Sequence, residues 1–268
     1  MKTAALILAG GTLSPELMVV AEGATNRALI PLAPGRVMLD YVVEALRAGF
    51  AEEENGGGRI LLAGDDIPLP PGCIAVPGGE TLVDTLLNGV AALSPDETQL
   101  LVATADIPFL TAEAVSDLLH RAQSSRDAGA DFAYPIVEAA RCHERFPTMK
   151  RTTLRIREGE FTGGNLVLLN PAFLRSQEQV IRDAYARRKD IGKLARLLGP
   201  RMLARLMVSR IVPGALAIAH LEAAVGHLLG GATARAIVTP YAEIGVDIDR
   251  PEDVLIARAM LSPSPIAG

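Results

Sequence analysis

Short apolar runs alternate with longer amphipathic segments along most of the chain. Seven runs have strand length and end at turn residues, at 4–9, 59–63, 73–76, 99–103, 131–137, 166–169 and 234–238. Segments whose apolar residues recur at helical spacing lie between several of these runs, at 37–48, 81–93 and 111–124. Strands that alternate with helices are typical of βαβ units, so the pattern predicts an α/β fold with a mostly parallel sheet.

Two of the predicted helices have clear start signals. Thr111 precedes the run that begins at Ala114 and offers a hydroxyl as N-cap. Pro251 is followed by Glu252 and Asp253, and proline and acidic residues favour the first turn of a helix. We therefore expect helices to begin at these two points.

The stretch 171–231 interrupts the alternation, with helical periodicity and no convincing strand. We interpret it as an all-helical insertion in an α/β domain formed by residues 1–170 and 232–261, with a flexible tail at 262–268. It combines many arginines with an apolar stripe that includes Ile191, Leu194, Leu197 and Leu198. Two roles stay open: the helices pack on the sheet or on a second copy in a homodimer, or they form a basic, partly apolar acceptor pocket.

Composition excludes several classes of function. The 268 residues are 49% hydrophobic and 21% charged, which is ordinary for a globular protein. The net charge of −5 argues against nucleic acid as a partner. Two distant cysteines and four histidines do not form a zinc or disulfide pattern. The first apolar run is too short for a secretory signal and the apolar stretch 211–230 is interrupted by Pro213 and Glu222, so we expect a cytoplasmic protein without a membrane span.

Aspartates end two apolar segments that lie far apart in the sequence. Asp106 follows the run 101–105, and Asp247 and Asp249 follow a short apolar segment near the end of the chain. Ligands bind at the carboxyl ends of parallel strands, and alternation along a strand would turn Asp247 and Asp249 to the same side. Carboxylate oxygens suit Mg²⁺ together with a polyphosphate. Asp106 could instead be a helix cap, but Thr111 is the better cap.

Paired glycines follow the first strand, in Leu8-Ala9-Gly10-Gly11. Glycine lets the backbone turn tightly and approach a ligand without a Cβ in the way. The chain has neither the glycine fingerprint of dinucleotide-binding folds nor a phosphate-binding P-loop. A nucleotide would therefore have to be held in another way.

Five motifs occur in a fixed order: Leu8-Ala9-Gly10-Gly11, the segment 27–32 that starts with Arg27, the segment 106–111, Gly163-Gly164-Asn165-Leu166, and the segment 247–253. In this order and spacing the chain resembles the nucleoside-triphosphate transferases. It is most similar to the branch that contains molybdenum-cofactor guanylyltransferase and methylerythritol-phosphate cytidylyltransferase. The resemblance covers most of the chain except 171–231.

This resemblance implies a Rossmann-like glycosyltransferase-A fold. An NTP, with GTP or CTP favoured, would lie over residues 8–11, and Mg²⁺ would be held by Asp106 and one of Asp247 and Asp249, with Asp249 favoured. An acceptor phosphate or hydroxyl would attack the α-phosphorus and release pyrophosphate. Such chemistry depends mainly on positioning and on neutralising charge.

Further site residues follow from the same resemblance. Gly78, Gly79, Thr81 and Asn88 stand where related enzymes contact the base and ribose, although Gly-Gly also makes ordinary turns before a helix cap. Gly164 and Asn165 stand where the acceptor would bind.

The chain departs from the family pattern at two places. Arg27 stands where the family usually has lysine, and no basic residue follows the glycine pair, where Glu16 lies instead. Lys150 and Arg151 could supply the missing charge from another loop, or they could be surface residues. We predict Arg27, Asp106 and Lys150 as catalytic. Two other functions stay open: a nucleotide-binding protein without catalysis, and a glycosyltransferase that uses a nucleotide sugar, since Asp247-Ile248-Asp249 is an Asp-x-Asp.

Overall fold

The computed structural model describes residues 2–11, 13–52, 58–124, 127–187, 200–209 and 211–262. The strands are β1 (Lys2–Leu8), β2 (Pro31–Ala33), β3 (Arg36–Val37), β4 (Ile60–Ala63), β5 (Cys73–Val76), β6 (Glu97–Thr104), β7 (Phe132–Glu138), β8 (Leu154–Ile156), β9 (Gly159–Gly163), β10 (Leu166–Leu169) and β11 (Ala234–Thr239). The helices are α1 (Met38–Ala51), α2 (Leu82–Ala91), α3 (Ala112–Ala122), α4 (Ala139–Arg145), α5 (Pro171–Ser176), α6 (Glu178–Arg187), α7 (Pro200–Ser209), α8 (Ile218–Leu228) and α9 (Pro251–Leu261).

Nine of these strands form one mixed sheet with β7 at a branch point. The neighbours β5, β4, β1 and β6 are parallel, β10 runs antiparallel between β6 and β7, and β11 is parallel to β7. The hairpin β8–β9 pairs with the end of β7 through β9. Within this sheet, β9 and β10 are antiparallel to the other seven strands. The predicted α/β fold with a mostly parallel sheet is confirmed.

All seven predicted strands are present; the strands at 73–76 and 166–169 have the predicted bounds, and the bounds of the other five differ by at most two residues. The sequence pattern missed two hairpins. One is β2–β3, which forms a separate two-stranded sheet, and the other is β8–β9. Their strands are two to five residues long, too short for a two-residue alternation to stand out.

Helices cover both faces of the sheet because its central strands are apolar on both sides. In β1, Ala5 and Ile7 belong to a core cluster with residues of α1 and α3, whereas Leu6 belongs to a second cluster with Val90 of α2 and Leu174 of α5. Successive strand residues point to opposite faces, so a buried strand of this kind needs a helical layer on each. Each large apolar side chain buried in this way contributes about 1.5–3 kcal/mol.

Residues described between 171 and 231 form α5, α6, α7, a 3-10 turn and α8, with no strand in these described ranges. Helix α8 packs near the hairpin β8–β9, where Ile156, Phe161, Met202 and Leu216 form a small core cluster. These contacts are those of helices packed on the sheet. The predicted stripe from Ile191 to Leu198 and residues 263–268 of the predicted tail lie outside the described residues. The division into domain and insertion stays a prediction.

Among the helices that the structure describes, none is long and apolar enough to cross a membrane.

Candidate active site

The end of β6 is joined to the segment that carries the late aspartates. Asp106 lies two residues beyond β6, and its carbonyl accepts a hydrogen bond from the Ile248 amide at 2.9 Å. Residues 246–250 are not a strand, so the prediction that Asp247 and Asp249 alternate along one was wrong. Besides that backbone bond, Val246 and Ile248 anchor the segment, because both are fully buried.

Asp106, Asp247 and Asp249, here called the acid cluster, come together in space. Each offers a carboxylate oxygen, and these three atoms all lie within 4.8 Å of one another. The side chains of Asp106 and Asp247 are 17% and 22% exposed, while that of Asp249 is 56% exposed. The structure therefore brings the three predicted acids to one place, with one of them facing solvent.

Arg27 joins two members of the acid cluster. Its Nη1 donates to Asp106 Oδ2 and to Asp249 Oδ1, each at 2.8 Å. Burial disfavours its charge, but the hydrogen bonds and charges of Asp106 and Asp249 outweigh this effect and raise the pKa of Arg27. The predicted residue is thus in direct contact with the acids.

Asn26 holds Arg27 in position, and sequence reasoning missed it. Its side chain accepts from the Ala28 amide at 2.8 Å, as the N-cap of a 3-10 turn at Arg27–Leu29, and donates to the Ala9 carbonyl at 2.7 Å. It therefore connects Arg27 to the backbone that follows β1. Asparagine is a favoured N-cap, and that preference was the available signal.

Arg151 binds the third acid. Its guanidinium pairs with the Asp247 carboxylate, and its Nη2 donates to the Asp247 carbonyl at 2.7 Å. Burial and the nearby charge of Asp249 raise the pKa of Asp247 to about 6, although Arg151 acts in the opposite direction. Two guanidiniums therefore balance three carboxylates, which leaves one net negative charge when all three are ionised.

The acid cluster has the chemistry of a divalent-cation site. Asp106 Oδ1 is buried and has no hydrogen-bond partner among the described residues. A buried acceptor without a partner is costly, and hard oxygen donors are the ligands that Mg²⁺ prefers. The three carboxylates together fit such an ion.

The glycine loop, Gly10 and Gly11, offers unused backbone amides. Both residues are exposed, and a Cβ at either would meet nothing within 4 Å. Neither amide donates a hydrogen bond to the residues that the structure describes. The backbone just before the glycine loop is held by the strands on both sides of β1. The Ala9 amide donates to the Ala63 carbonyl, and the Leu8 carbonyl accepts from the Ala105 amide. Exposed consecutive amides of this kind can bind an anion.

The predicted base-binding residues make local contacts at the start of α2. Thr81 is the N-cap of α2, the Gly79 amide donates to Thr85 Oγ1 at 3.0 Å, and Asn88 Nδ2 donates to the Pro77 carbonyl at 3.1 Å. Asn88 also lies 3.4 Å from the Gly78 carbonyl. These are the contacts of a turn and helix cap. They lie beyond β5, three strands from β6 in the sheet order.

A cleft of about 1120 Å³, here called the polar cleft, opens beside the acid cluster. Its walls carry the predicted residues Lys150, Gly164 and Asn165 together with Asp247 and Asp249. Lys150 is exposed, so this loop brings both Lys150 and Arg151 to the cleft. Residues that sequence reasoning did not assign also line it: Tyr134, Thr148, Thr152, Thr162, Gly163, Gly245, Arg250, Pro251, Glu252 and Asp253.

Gly164 and Asn165 also hold the wall of the polar cleft together. The Gly164 amide donates to Pro135 and the Asn165 amide to Ile244, each at 2.9 Å. A Cβ at Gly164 would lie 2.7 Å from Ile244 Cγ2, so the close approach needs glycine. Asn165 thus has a structural role in addition to its place in the wall.

Asp253 fixes the loop that carries Asp249. It is 8% exposed, and its Oδ2 accepts from the amides of Asp249 and Arg250 at 3.2 and 3.0 Å.

The helix start predicted at Pro251 is confirmed, and so is the one at Thr111, whose Oγ1 accepts from the Ala114 amide at 3.2 Å. Since Thr111 caps α3, Asp106 is left for another partner.

Comparison with known proteins places the chain among nucleotidyltransferases. The model of the MobA-like NTP transferase domain matches residues 5–238. A hypothetical transferase from Thermus thermophilus is 38% identical over 95% of this chain and 100% of its own, with a TM-score of 0.78. No curated protein matches the chain.

Two more distant structures share the fold. They are 2-C-methyl-D-erythritol 4-phosphate cytidylyltransferase, also from Thermus thermophilus, at 18% identity and a TM-score of 0.52, and CMP:2-keto-3-deoxy-manno-octonic acid synthetase in complex with CTP, at 13% and 0.56. Each match covers 97% of this chain and 98% of the other. Nucleotidyltransferases of this glycosyltransferase-A-like fold are thus its structural neighbours.

Proposed function

The chain belongs to the MobA-like NTP transferase family, and we propose that it is an Mg²⁺-dependent enzyme that joins NMP from an NTP to a small phosphorylated or hydroxylated acceptor, releasing pyrophosphate. Nucleotidyl transfer in general follows from the family. The observation that carries the finer proposal is the acid cluster, where three carboxylate oxygens lie within 4.8 Å of one another.

In this proposal Asp106, Asp247 and Asp249 hold Mg²⁺, which when bound supplies positive charge to the phosphates. Arg27 is already in contact with the acid cluster and presents a planar fork of donors that can bind a phosphate. Lys150 lines the polar cleft and adds a mobile positive charge. Nucleotidyl transfer needs little more from the protein than such positioning and charge neutralisation.

We place the triphosphate over the glycine loop, whose exposed amides make no other hydrogen bond among the described residues. The base would then extend along the carboxyl edge of the sheet, past β1 and β4, toward Gly78, Gly79, Thr81 and Asn88. GTP or CTP is favoured by the motif resemblance alone. Because the Gly79 amide is bonded to Thr85, base recognition there would need that bond to be exchanged.

We place the acceptor in the polar cleft, against Gly164 and Asn165. Lys150 and Arg250 are cationic groups of this cleft, which also contains Glu16, Glu252 and Asp253 besides the acid cluster, and the phosphate of an anionic acceptor such as a phosphate monoester would pair with these two cations. A homodimer and a cytoplasmic location stay predictions from the sequence.

The test is pyrophosphate release. Purified protein is incubated with Mg²⁺, each of the four NTPs and pools of small phosphorylated acceptors. We expect release with one NTP and only with a divalent cation, and a loss of about 100-fold or more for Asp106→Asn. Glu113→Gln is the matched control, since Glu113 is an exposed acid in the first turn of α3.

Two results would contradict the proposal. NTP binding without pyrophosphate release from any acceptor pool, with Asp106→Asn changing only binding, would indicate a nucleotide-binding protein without catalysis. Preferential binding of UDP- or GDP-sugars over free NTPs would indicate a glycosyltransferase.

A further inference from the structure

A second pocket, of about 270 Å³, lies between the sheet and α8 and is lined almost entirely by apolar side chains. We call it the apolar pocket. Its walls come from β7, β8, β9, β11 and α8.

The apolar pocket is formed by one face of the sheet and one face of a helix. Phe132, Tyr134 and Ile136 alternate along β7 and so point to the same side. Ile218, Leu221 and Val225 of α8 recur at helical spacing and face them. The neighbouring strand β11 contributes Ala234, Arg235 and Ala236 to the lining, and the small side chains of the two alanines leave space beside them.

The apolar pocket is adjacent to the polar cleft and shares part of its wall with it. Tyr134, Thr162 and Gly163 line both cavities. The Tyr134 ring stacks near Phe132, with centroids 6.2 Å apart. Tyr134 and Asp247 both line the polar cleft, and burial together with the charge of Asp247 raises the pKa of Tyr134. Tyr134 therefore stands where the two cavities meet.

Gly163 lets Tyr134 occupy this position. A Cβ at Gly163 would lie 2.4 Å from the Tyr134 hydroxyl oxygen. Any larger residue would push the phenol away from β9 and into one of the two cavities. Gly163 thus leaves room for the Tyr134 ring in the wall that the two cavities share.

Strand order arranges the sites in a row. In the order of the strands across the sheet, the glycine loop follows β1 and Asp106 follows β6. The polar cleft lies at β10 and β7, and the apolar pocket lies at β7 and β11. A molecule that spans the polar cleft and the apolar pocket would therefore approach the acid cluster from the side opposite the glycine loop. That is the approach an acceptor needs when the NTP lies over the glycine loop.

We infer that the acceptor carries a short hydrocarbon group, which binds in the apolar pocket while its phosphate or hydroxyl group lies in the polar cleft. That the ligand is an acceptor rests on the proposed function, and its hydrocarbon group is inferred from the apolar pocket and from the wall that this pocket shares with the polar cleft. With about 30 Å³ for each water-sized group, 270 Å³ holds roughly nine such groups, so the hydrocarbon part has up to about nine carbon atoms. A long lipid chain does not fit.

The test uses n-alkyl phosphates of increasing length, from methyl to octyl phosphate, below their aggregation concentrations. Their affinities are measured by calorimetry with and without Mg²⁺. Each methylene buried in the apolar pocket is expected to increase affinity by about fourfold, until the pocket is full. Methyl phosphate gives the baseline for the polar cleft alone.

Two variants fill the apolar pocket from opposite walls, Ala236→Leu from β11 and Val225→Phe from α8. Both are expected to remove the increase in affinity with chain length while methyl phosphate binds as before. Val238→Ile is the matched control, because Val238 is on the same strand, is 39% exposed and does not line the pocket. Melting temperatures of all three variants establish that each is folded, and either filling variant alone suffices for the test.

Several outcomes would overturn the inference. One is an affinity that does not rise with chain length, and another is a rise that persists in both folded filling variants. A third is a filling variant that changes only the sedimentation coefficient, because the pocket would then be a contact between copies of the chain. Pyrophosphate release is measured on the same variants. Turnover without any chain-length effect refutes the apolar pocket alone, and a chain-length effect without NTP turnover refutes the proposed function alone.

Discussion

Replacing Arg27 with methionine removes the cation that joins two of the three acids. Methionine keeps a flexible, unbranched apolar stem but is shorter than arginine and has no charge. In the wild type, Arg27 Nη1 lies 2.8 Å from both Asp106 and Asp249. The variant leaves Arg151 as the guanidinium that contacts the acid cluster through Asp247. We expect it to be less stable without a divalent cation and to gain more stability from one.

The size of the loss follows from the geometry. Two ionised carboxylates 4.8 Å apart repel by about 3.5 kcal/mol at an effective dielectric constant near 20. Two effects reduce this figure. Asp249 is 56% exposed, so water screens its share. Asp247 has a pKa of about 6 and can take up a proton at a cost of about 1.4 kcal/mol near pH 7. We therefore expect a loss of about 1–2 kcal/mol near pH 7.

The sign of the pH dependence follows from the raised pKa of Asp247. Below about pH 6 this acid is increasingly protonated in the folded protein, so one of the repelling charges is lost. The difference between variant and wild type should therefore shrink as the pH falls to about 5 and grow as it rises above about 7. Added Mg²⁺ should stabilise the variant more than the wild type, because no internal cation competes for Asp106 and Asp249.

The assay is urea unfolding in a chelator and in excess Mg²⁺, at both pH values. Arg155→Met is the control, since Arg155 is 69% exposed and pairs with Glu160 outside the acid cluster. If Arg27→Met were as stable as the wild type in the chelator at neutral pH, or if Mg²⁺ stabilised both proteins equally, the charge argument would be wrong.

Three further substitutions test the fold around the site. Asp253→Ala removes the side chain that accepts hydrogen bonds from two amides before α9. It should lower the free energy of unfolding in urea by about 1 kcal/mol and weaken the binding of Mg²⁺. Unchanged values of both would contradict the role of Asp253 as a cap. Glu97→Gln breaks a pair in which the Glu97 side chain is fully buried against Arg59, and should cost about 3 kcal/mol at neutral pH. Because Arg59 lowers the pKa of Glu97, this stabilisation is present above the unfolded pKa and lost as the pH falls, so a constant difference down to acid pH would contradict it. Gly49→Ala places a Cβ 2.6 Å from that of Val115 and should lower stability by about 1–3 kcal/mol, and an unchanged melting temperature would show that α1 and α3 can separate at little cost.

The central strands could be predicted because burial on both faces leaves a continuous apolar signal in the sequence. β1 and β6 are such strands, with Ala4 to Ile7 and Leu100 to Ala103 all at most 4% exposed. The hairpin β8–β9 could not be predicted, because only Ile156 of β8 is buried. The register of the hairpin in the sheet depends on the pairing of β9 with β7, which no local pattern shows. The segment 246–250 shows the opposite error. Its buried Val246 and Ile248 alternate with charged residues as in a strand with one buried face, but it has one backbone bond to Asp106 where a strand would have a ladder.

The three acids could be predicted because each ends an apolar segment, which is a local signal. Their partners could not. Arg27 and Asp249 are separated by 222 positions, and only the folded sheet brings them within hydrogen-bond distance. The sequence analysis predicted Lys150 rather than Arg151 as catalytic, although adjacent residues of the same charge cannot be distinguished by a local pattern. The structure separates their positions, with Arg151 bound to Asp247 and Lys150 exposed in the polar cleft.

Three buried side-chain atoms around the acid cluster lack a partner among the described residues, and together they indicate what kind of ligand the site takes. They are Asp106 Oδ1, an acceptor, and the Nε atoms of Arg27 and Arg151, which are donors. Buried polar groups in native proteins are nearly always satisfied, so a cluster of exceptions calls for an explanation. A cation alone would satisfy the acceptor and leave both donors without partners, and an anion alone would do the reverse. A metal ion bound together with a phosphate supplies both, which is why we favour an Mg²⁺–polyphosphate over either component alone.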